Sequence, residues 1–273
     1  MIEPLPVATK KAAAFQSKKT NLFIILSGIF LTNAILAEII GVKIFSGEMT
    51  LGFEPVGWTF FGDYVLDFNL TAGAVIWPIV FITTDIINEY FGKKGVRKIS
   101  FITAFFIAYI FVIIAIVTQL APAPFWLEVN SPDPEGNDFN IHYAFNTIFR
   151  QGLGIIIGSL IAFLLGQLID VYVFQKLRLI TGSKMIWLRA TGSTLVSQFI
   201  DSFVVLGIAF YIFGNWSWAQ VVSVGIINYI YKFSVAILLT PLLYLGHHLI
   251  DRYLGKEIAE KMTQEAMEDT SFL

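Results

Sequence analysis

The sequence contains no cysteine, which excludes disulfides, thiolate metal ligands and cysteine nucleophiles. Charged residues are also scarce, since they make up 14% of the 273 residues where soluble domains carry about 25%. A G-x-x-x-x-G-K-[ST] phosphate-binding loop is absent, which excludes ATP hydrolysis by that route. The chain is 56% hydrophobic, and its mean hydropathy is +0.72. This composition is typical of an integral membrane protein.

Long apolar windows predict the fold. A transmembrane helix needs about 20 mostly apolar residues, and six windows of the sequence meet this condition. We therefore predict an all-α, polytopic membrane protein with six transmembrane helices. The windows cover residues 22–45, 70–91, 99–120, 152–175, 190–213 and 219–246.

The basic residues predict the orientation. Of the 18 basic residues, 15 lie in four clusters. The clusters stand before helix 1, between helices 2 and 3 (Lys93 to Lys98), between helices 4 and 5 (Lys176 to Arg189, including Lys184) and after helix 6. The other three are Lys43, Arg150 and Lys232. The positive-inside rule assigns the side of the four clusters to the cytoplasm. The opposite links carry mainly acids, such as Asp63 and Asp133. We predict a cytoplasmic N-terminal tail (1–21), a transmembrane domain (22–249) with an extracytoplasmic loop (121–149), and a cytoplasmic C-terminal tail (250–273).

The links carry weaker signals. The 46–69 link is rich in aromatic residues and Gly, which favours a short hairpin or an interfacial turn. The 121–149 link has the Pro, Asp, Gly and Asn of an exposed loop. The stretch 257–273 is typical of a short amphipathic helix that fades into disorder.

Ionisable residues inside the predicted helices mark a candidate site. Each costs at least about 2.5–3.5 kcal/mol in hydrocarbon, so such residues face the bundle interior. Counting about 1.5 Å per residue places Asp201 and Lys232 near the midplane, and Asp85 and Asp170 nearer the cytoplasm. These two levels predict a polar path through the bundle. The residues are Glu38, Asp85, Glu89, Asp170, Asp201 and Lys232.

Helical spacing groups these residues. Asp85, Asn88 and Glu89 stand at i, i+3 and i+4 and share one face. Two Gln-x-Ile-Asp motifs, Gln167 to Asp170 and Gln198 to Asp201, each place an amide beside an acid. Because the two motifs lie on helices that run in opposite directions, an inverted repeat is one interpretation.

Several of these residues also have structural explanations. Glu89 could extend its carboxylate to water at the interface, and Asp170 could pair with Lys176 or Arg178. Arg189 could be a cytoplasmic anchor, and Asp201 and Lys232 could simply neutralise each other. A stripe of Gly152, Gly154 and Gly158 favours helix packing rather than phosphate binding.

Five segments resemble one family in combination. They cover residues 43–44 (KI), 77–98 (WPIVFITTDIINEYFGKKGVRK), 158–178, 187–210 and 231–244. The chain is similar to the YhhQ-type queuosine precursor transporters, which are also grouped as vitamin uptake transporters. The Thr-Asp-Ile-Ile-Asn-Glu segment, the two Gln-x-x-Asp motifs and Lys232 carry the resemblance.

The resemblance implies a multi-pass transporter of the bacterial inner membrane, and no enzyme. It would import 7-cyano-7-deazaguanine or 7-aminomethyl-7-deazaguanine, with the lipid bilayer as its surroundings and with no cofactor, metal or nucleic acid. An acid can accept two N–H groups of such a base, and Trp77, Phe81 or Tyr229 could stack on its ring. The predicted substrate-binding residues are Trp77, Asp85, Asn88, Gln167, Asp170, Gln198, Asp201, Tyr229 and Lys232, with Glu38, Glu89 and Arg189 as further candidates.

Other functions stay open at this point. The chain could import another purine-like or vitamin-like solute, or serve as a binding subunit that a separate partner energises. Asp170 and Asp201 on consecutive helices could also form an intramembrane aspartyl protease, although their depths differ and no Gly-x-Gly-Asp segment surrounds them. One buried carboxylate could carry a coupling proton. The sequence leaves the energy source and the oligomeric state open, with a homodimer as one candidate.

Overall fold

The computed structural model describes residues 7–59, 65–150, 152–182 and 185–268, and within them the chain forms ten α-helices and four short strands. Asp63, Lys184 and the terminal residues 1–6 and 269–273, which entered the predictions above, lie outside these ranges. The helices are α1 (Val7–Ile40), α2 (Gly47–Thr50), α3 (Trp77–Val117), α4 (Pro124–Val129), α5 (Ile141–Phe149), α6 (Leu153–Thr181), α7 (Ile186–Leu206), α8 (Trp218–Leu238), α9 (Thr240–Leu254) and α10 (Lys256–Glu268). A 3₁₀ turn (Ala72–Val75) precedes α3, and a π-helical segment (Gly207–Ile212) extends α7.

The predicted hairpin in the first long link is confirmed. Strand β1 (Ile44–Ser46) pairs antiparallel with β4 (Asn69–Thr71), and β2 (Trp58–Thr59) pairs with β3 (Val65–Leu66). Glu48 closes this ribbon because its Oε1 accepts the Phe68 N–H at 2.7 Å. We call the end of the bundle that carries the strands the ribbon side.

Helix α3 is a helical hairpin that contains both the second and the third predicted spans. Gly92 interrupts it with φ 63° and ψ −168°, which are not helical values. A Cβ on Gly95 would lie 3.3 Å from Ile87 Cγ2, although a continuous helix would separate these residues by about 12 Å along its axis. The chain therefore turns back at Gly92. Within the described residues, five helices are long and apolar enough to cross a membrane, and α3 is one of them.

Some predicted span boundaries were wrong. The first candidate span covers Phe15–Ile40 instead of 22–45, because the chain leaves the helix after Ile40 to form the ribbon. The last predicted window, 219–246, divides at Leu239, since α8 ends at Leu238 and α9 begins at Thr240. Pro241 at the start of α9 lacks the N–H that a continuing helix would need.

The predicted loop and tails contain more helix than expected. Helices α4 and α5 form within residues 121–149, while α1 starts at Val7 and so includes most of the predicted N-terminal tail. The amphipathic C-terminal helix is confirmed as α10, whose Ala259, Met262 and Ala266 are buried. Lys19 Nζ pairs with Glu265 on α10 at 2.6 Å, which ties the start of α1 to the end of the bundle opposite the ribbon. We call this end the α10 side.

Helices α6 and α7 form an antiparallel pair with a regular four-residue register. A Cβ on Gly158 would contact Ala209, and one on Gly166 would lie 3.7 Å from Asp201 Cβ. One turn further along α6, Asp170 contacts Ser197. Residues four apart form the ridge along which helices pack, and a Cβ on Gly154 would likewise collide with Phe213. The predicted packing role is confirmed for Gly154 and Gly158.

Candidate functional site

A large cavity opens among the helices on the ribbon side. Its lining comes mainly from α1, α3, α6, α7 and α8, and it encloses about 330 Å³. A small recess of about 30 Å³ continues it towards Gln167 and Gln198, and both spaces share Trp77, Phe81 and Phe163. Small-molecule sites typically measure about 300–1,000 Å³. We refer to the two connected spaces as the ribbon-side cavity.

An acid and a base face this cavity together. Lys232 Nζ of α8 forms a hydrogen-bonded ion pair with Asp201 Oδ2 of α7. Their side chains are 20% and 22% exposed, so both can still reach a solute in the cavity. Glu38 of α1 also lines the cavity, where it is hydrogen-bonded to Ser159 and lies close enough to Asp201 to interact electrostatically. Two acids and one ammonium group thus meet at one surface.

Aromatic rings form another part of the cavity wall. Trp77 and Phe81 stand one helical turn apart on α3 and stack with ring centroids 5.9 Å apart and planes 18° apart. Phe163 of α6 adds a third ring, 6.0 Å from Trp77. A flat apolar wall beside charged groups suits a planar ligand with polar edges.

Asp85 and Asp170 lie deeper and belong to a separate group. All residues from Thr83 to Tyr90 are buried, so α3 is enclosed on every side here. Ser197 Oγ donates to Asp170 Oδ1 at 3.2 Å, and the Ser193 and Thr194 hydroxyls lie near the same carboxyl. Asp85 is close enough to Asp170 for their charges to interact. We call these two residues the acid pair.

A buried ion cluster closes the bundle below the acid pair. Arg189 of α7 donates to both carboxylate oxygens of Glu89, at 2.7 and 3.1 Å. Arg178 of α6 lies 3.5 Å from Glu89 Oε1 and also donates to the Thr263 carbonyl of α10 at 2.8 Å. Glu89, Arg178 and Arg189, which we call the inner cluster, are all at least 96% buried.

The inner cluster bears on three of the structural alternatives given above. Glu89 does not extend to water at the interface, because its carboxylate is held by two buried guanidinium groups. Asp170 does not pair with Arg178, whose contacts are Glu89 and backbone carbonyls. Arg189 is 1% exposed and is therefore no surface anchor.

A third space lies between the inner cluster and α10. It encloses about 510 Å³ and is lined by residues of α3, α7, α9 and α10. The Tyr90 hydroxyl donates to Asp251 Oδ1 at 2.6 Å, and His247 Nδ1 lies 3.1 Å from the same hydroxyl. These contacts join α3 to α9 on the α10 side.

The structure divides the predicted site residues into three groups. Trp77, Gln167, Gln198, Asp201, Lys232 and Glu38 line the ribbon-side cavity; Asp85 and Asp170 form the acid pair; Glu89 and Arg189 belong to the inner cluster. Asn88 is fully buried and its Oδ1 accepts from Gln175 at 2.7 Å. Tyr229 packs against Phe199 and Phe233 instead of lining the ribbon-side cavity.

Sequence reasoning missed several polar neighbours. Asn228 and Tyr231 line the cavity where Tyr229 was expected. Ser193 and Ser197 surround Asp170, and Arg178 belongs to the inner cluster. A usable signal was present for the serines, because Ser193, Ser197 and Asp201 recur every four residues along one stripe of α7.

The two Gln-x-x-Asp motifs face each other without forming a catalytic dyad. Asp201 lies level with Gly166 of α6, whereas Asp170 is one helical turn away and contacts Ser197. Their partners differ too, since Asp201 pairs with Lys232 and Asp170 interacts with Asp85. The two acids therefore cannot share a water as a protease would require.

A bundle of long apolar helices around a polar, aromatic-walled cavity is typical of a polytopic membrane protein that handles a solute. Residues 71–246 match the family described as "Putative vitamin uptake transporter", and the chain belongs to this family. The membership confirms the resemblance and excludes the protease hypothesis.

Bacterial relatives carry more specific names. A Bacillus subtilis protein named "Probable queuosine precursor transporter" is 31% identical over 186 residues, which are 67% of this chain and 75% of the relative. A Haemophilus influenzae protein of the same name is 30% identical over 196 residues, 70% of this chain and 72% of the relative. The Escherichia coli "Queuosine precursor transporter" is 27% identical over 211 residues, 75% of this chain and 83% of the relative. No solved structure matches the chain.

Proposed function

We propose that this protein imports the queuosine precursors 7-cyano-7-deazaguanine and 7-aminomethyl-7-deazaguanine across the bacterial inner membrane. The observation that carries the proposal is the Asp201–Lys232 pair facing aromatic rings in one cavity. The names of the relatives support this class of substrate.

The chemistry of a guanine-type edge fits this pair. Such an edge presents a carbonyl acceptor next to two N–H donors. Lysine is a common partner of the carbonyl oxygen, and a carboxylate can accept both N–H groups. Asp201 and Lys232 offer these two functions side by side, and Gln198 and Gln167 extend the polar surface into the deeper pocket.

The rings and the second acid account for the remaining parts of the ligand. Stacking on an aromatic ring contributes about 1–3 kcal/mol per base, and the Trp77–Phe81 stack offers such a platform. Glu38 adds a second acid to the cavity, which favours a cationic aminomethyl group. The 7-cyano form lacks this charge and would gain less from Glu38.

We also propose six membrane crossings with both termini in the cytoplasm. The turn at Gly92 supports counting α3 as two crossings. Lys93, Lys94, Arg97 and Lys98 follow this turn on the α10 side, as the positive-inside rule requires of a cytoplasmic end. Arg178 and Arg189 no longer count towards the rule as exposed charges, because both are buried.

Uptake tests the substrate. Cells that cannot make queuosine precursors are given labelled 7-cyano-7-deazaguanine, and queuosine in their tRNA is measured. Asp201→Asn is expected to lower uptake at least tenfold, whereas Asp133→Asn, an equivalent change in an exposed turn, should leave it unchanged. Equal uptake by both variants at equal expression would remove Asp201 from the mechanism.

Accessibility tests the topology. Because the chain has no cysteine, Asp133→Cys and Lys94→Cys each introduce a single thiol. In intact cells, a membrane-impermeant maleimide should label the first variant and should label the second only after the membrane is opened. Labelling of both in intact cells would contradict six crossings.

The family description supports a second candidate, another purine-like or vitamin-like solute. Competition of labelled 7-cyano-7-deazaguanine binding by a panel of purines and vitamins separates the two. A competitor that binds more tightly than both 7-deazaguanines would favour the second candidate. The path lies within one chain, so neither candidate requires a second copy, and a homodimer stays a prediction.

A further inference from the structure

The acid pair has polar surroundings that the substrate proposal does not use. Asp85 and Asp170 are 6% and 5% exposed and lie between the ribbon-side cavity and the inner cluster. Asp85 borders a separate small space of about 20 Å³, lined by Thr191, Thr194 and Thr240 among others. This space shares Phe81 with the ribbon-side cavity.

In each acid, one buried carboxylate oxygen has no hydrogen-bond partner among the described residues. These two atoms are Asp85 Oδ1 and Asp170 Oδ2. Burying an ionised carboxylate without a partner is strongly unfavourable. Because Asp85 and Asp170 each have such an oxygen and also interact with each other, the pair lacks a positive charge or a hydrogen-bond donor.

The local charge balance gives the size of the missing charge. Among the described residues, the charged groups that act on the pair are Glu89 from α3 and Arg189 from α7, with Arg178 from α6 bound to the same Glu89. Three ionised acids and two guanidinium groups leave a single negative charge. One proton on the acid pair neutralises the whole group.

Regular helices favour a proton over Na⁺. Intramembrane Na⁺ sites use backbone carbonyls that an unwound helix segment frees. Here α3 is helical up to Gly92, and α6 and α7 are α-helical past Asp170 and Ser197, so these carbonyls are already bonded within their helices. In the described part of the chain, no three His, Asp or Glu side chains are placed to hold a metal. Two neighbouring carboxyl groups, by contrast, readily share one proton.

We propose that Asp85 and Asp170 share one exchangeable proton, and that its movement from the ribbon side to the α10 side drives solute import. The proton forms an O–H bond on one carboxylate oxygen and returns to water when that bond breaks on the α10 side. Thr84 Oγ1 lies 3.3 Å from Gln167 Oε1, which connects the neighbour of Asp85 to the wall of the ribbon-side cavity. This inference rests on the proposed function.

Two transport measurements, uptake driven by a proton gradient and exchange at equal pH, test the shared proton. Purified protein in liposomes is given labelled 7-cyano-7-deazaguanine, with either an inward proton gradient or equal pH and unlabelled substrate inside. For the wild type, the gradient should raise initial uptake at least fivefold, a protonophore should abolish this rise, and a Na⁺ gradient should have no effect. Asp85→Asn and Asp170→Asn should lose the stimulation, and measurable exchange at equal pH shows that each variant is folded. Glu265→Gln, an equivalent change at an exposed ion pair, should keep both.

Each outcome decides one claim. Wild-type protein that neither takes up nor exchanges the substrate would overturn the proposed function. Wild-type exchange without proton stimulation, or with stimulation by Na⁺, would overturn the shared proton but not the substrate. Retained stimulation in Asp85→Asn and Asp170→Asn would also overturn it. The wild-type measurement does not depend on the folding of any variant.

Discussion

The two Gln-x-x-Asp motifs have almost the same sequence but different surroundings. Asp201 faces the ribbon-side cavity, is paired with Lys232 and keeps 22% of its side chain exposed. Asp170 is 5% exposed, lies among serine and threonine hydroxyls and interacts with a second acid. The motif places an acid on a helix face, and the neighbouring helices decide what that acid can do.

This contrast extends to the two halves of the bundle. The ribbon side has a large cavity with a partly exposed ion pair, whereas the α10 side is closed by a buried ion cluster and by α10. An ion pair beside a cavity can exchange its partner for a solute. A fully buried pair cannot do so without a large desolvation cost. We therefore assign binding to the first half and closure to the second.

Removal of Lys232 should have the largest effect on transport. Lys232→Ala leaves Asp201 without its ammonium partner and removes the donor to the base carbonyl, so uptake should fall at least tenfold. The double variant Asp201→Asn/Lys232→Met removes both charges and serves as the control. If the pair only neutralised itself, the double variant would regain near wild-type uptake, and that result would contradict its role in binding.

Removal of Glu89 should have the largest effect on stability. Glu89→Gln leaves two buried guanidinium groups without their carboxylate, a change that costs about 3–5 kcal/mol in buried pairs. Glu265→Gln at the exposed Lys19 pair is the matched control and should cost less than about 1 kcal/mol. Thermal denaturation in detergent measures both. Similar melting temperatures for the two variants would contradict the claim that the buried ion cluster closes and stabilises the α10 side.

A side chain at Gly92 should disturb the turn in α3. Its φ of 63° disfavours any residue with a Cβ, and that Cβ would lie 3.1 Å from the Ala266 carbonyl of α10. Gly92→Ala should therefore cost about 1–3 kcal/mol, measured by denaturation. Gly28→Ala is the control, because no atom lies within 4 Å of the new Cβ and alanine favours a helix. Equal stability of the two variants would contradict a strained turn.

The smallest expected effect is the contribution of His247 to the change of stability with pH. His247 lies on α9, outside the candidate membrane spans, and burial lowers its pKa below the ordinary value although Glu89 and Asp251 oppose this shift. As the pH falls through that ordinary value, the unfolded chain gains a proton before the folded chain does, and stability decreases. Between pH 7.5 and pH 5.5, the melting temperature of the His247→Gln variant should fall less than that of the wild type. Parallel losses would show that His247 does not contribute.

The sequence predicted the levels of the polar residues well. Counting along the helices separated Asp201 and Lys232 from Asp85 and Asp170, and the structure places these residues in two groups. This works because the rise per residue of a helix is fixed. The hairpin in the first link and the helix at α10 were predictable for a similar reason, since their signals are local.

Partners across helices were not predictable in the same way. Arg178 and Arg189 were counted as cytoplasmic charges, because a sequence shows where a charge lies along the chain and not which side chain faces it. Tyr229 was chosen instead of Tyr231, although a rotation of 200° about the helix axis separates them. Such choices depend on how helices rotate against each other, and this rotation is set by packing across the whole bundle.

Helix α10 has a consequence for how the protein is made. It follows every candidate span in the chain, so it leaves the ribosome only after the membrane part has been synthesised. Until then Gly92 lacks its contact with Ala266, and Arg178 lacks the Thr263 carbonyl. The closure of this end by α10 is therefore a late step, which follows the synthesis of every span that it covers.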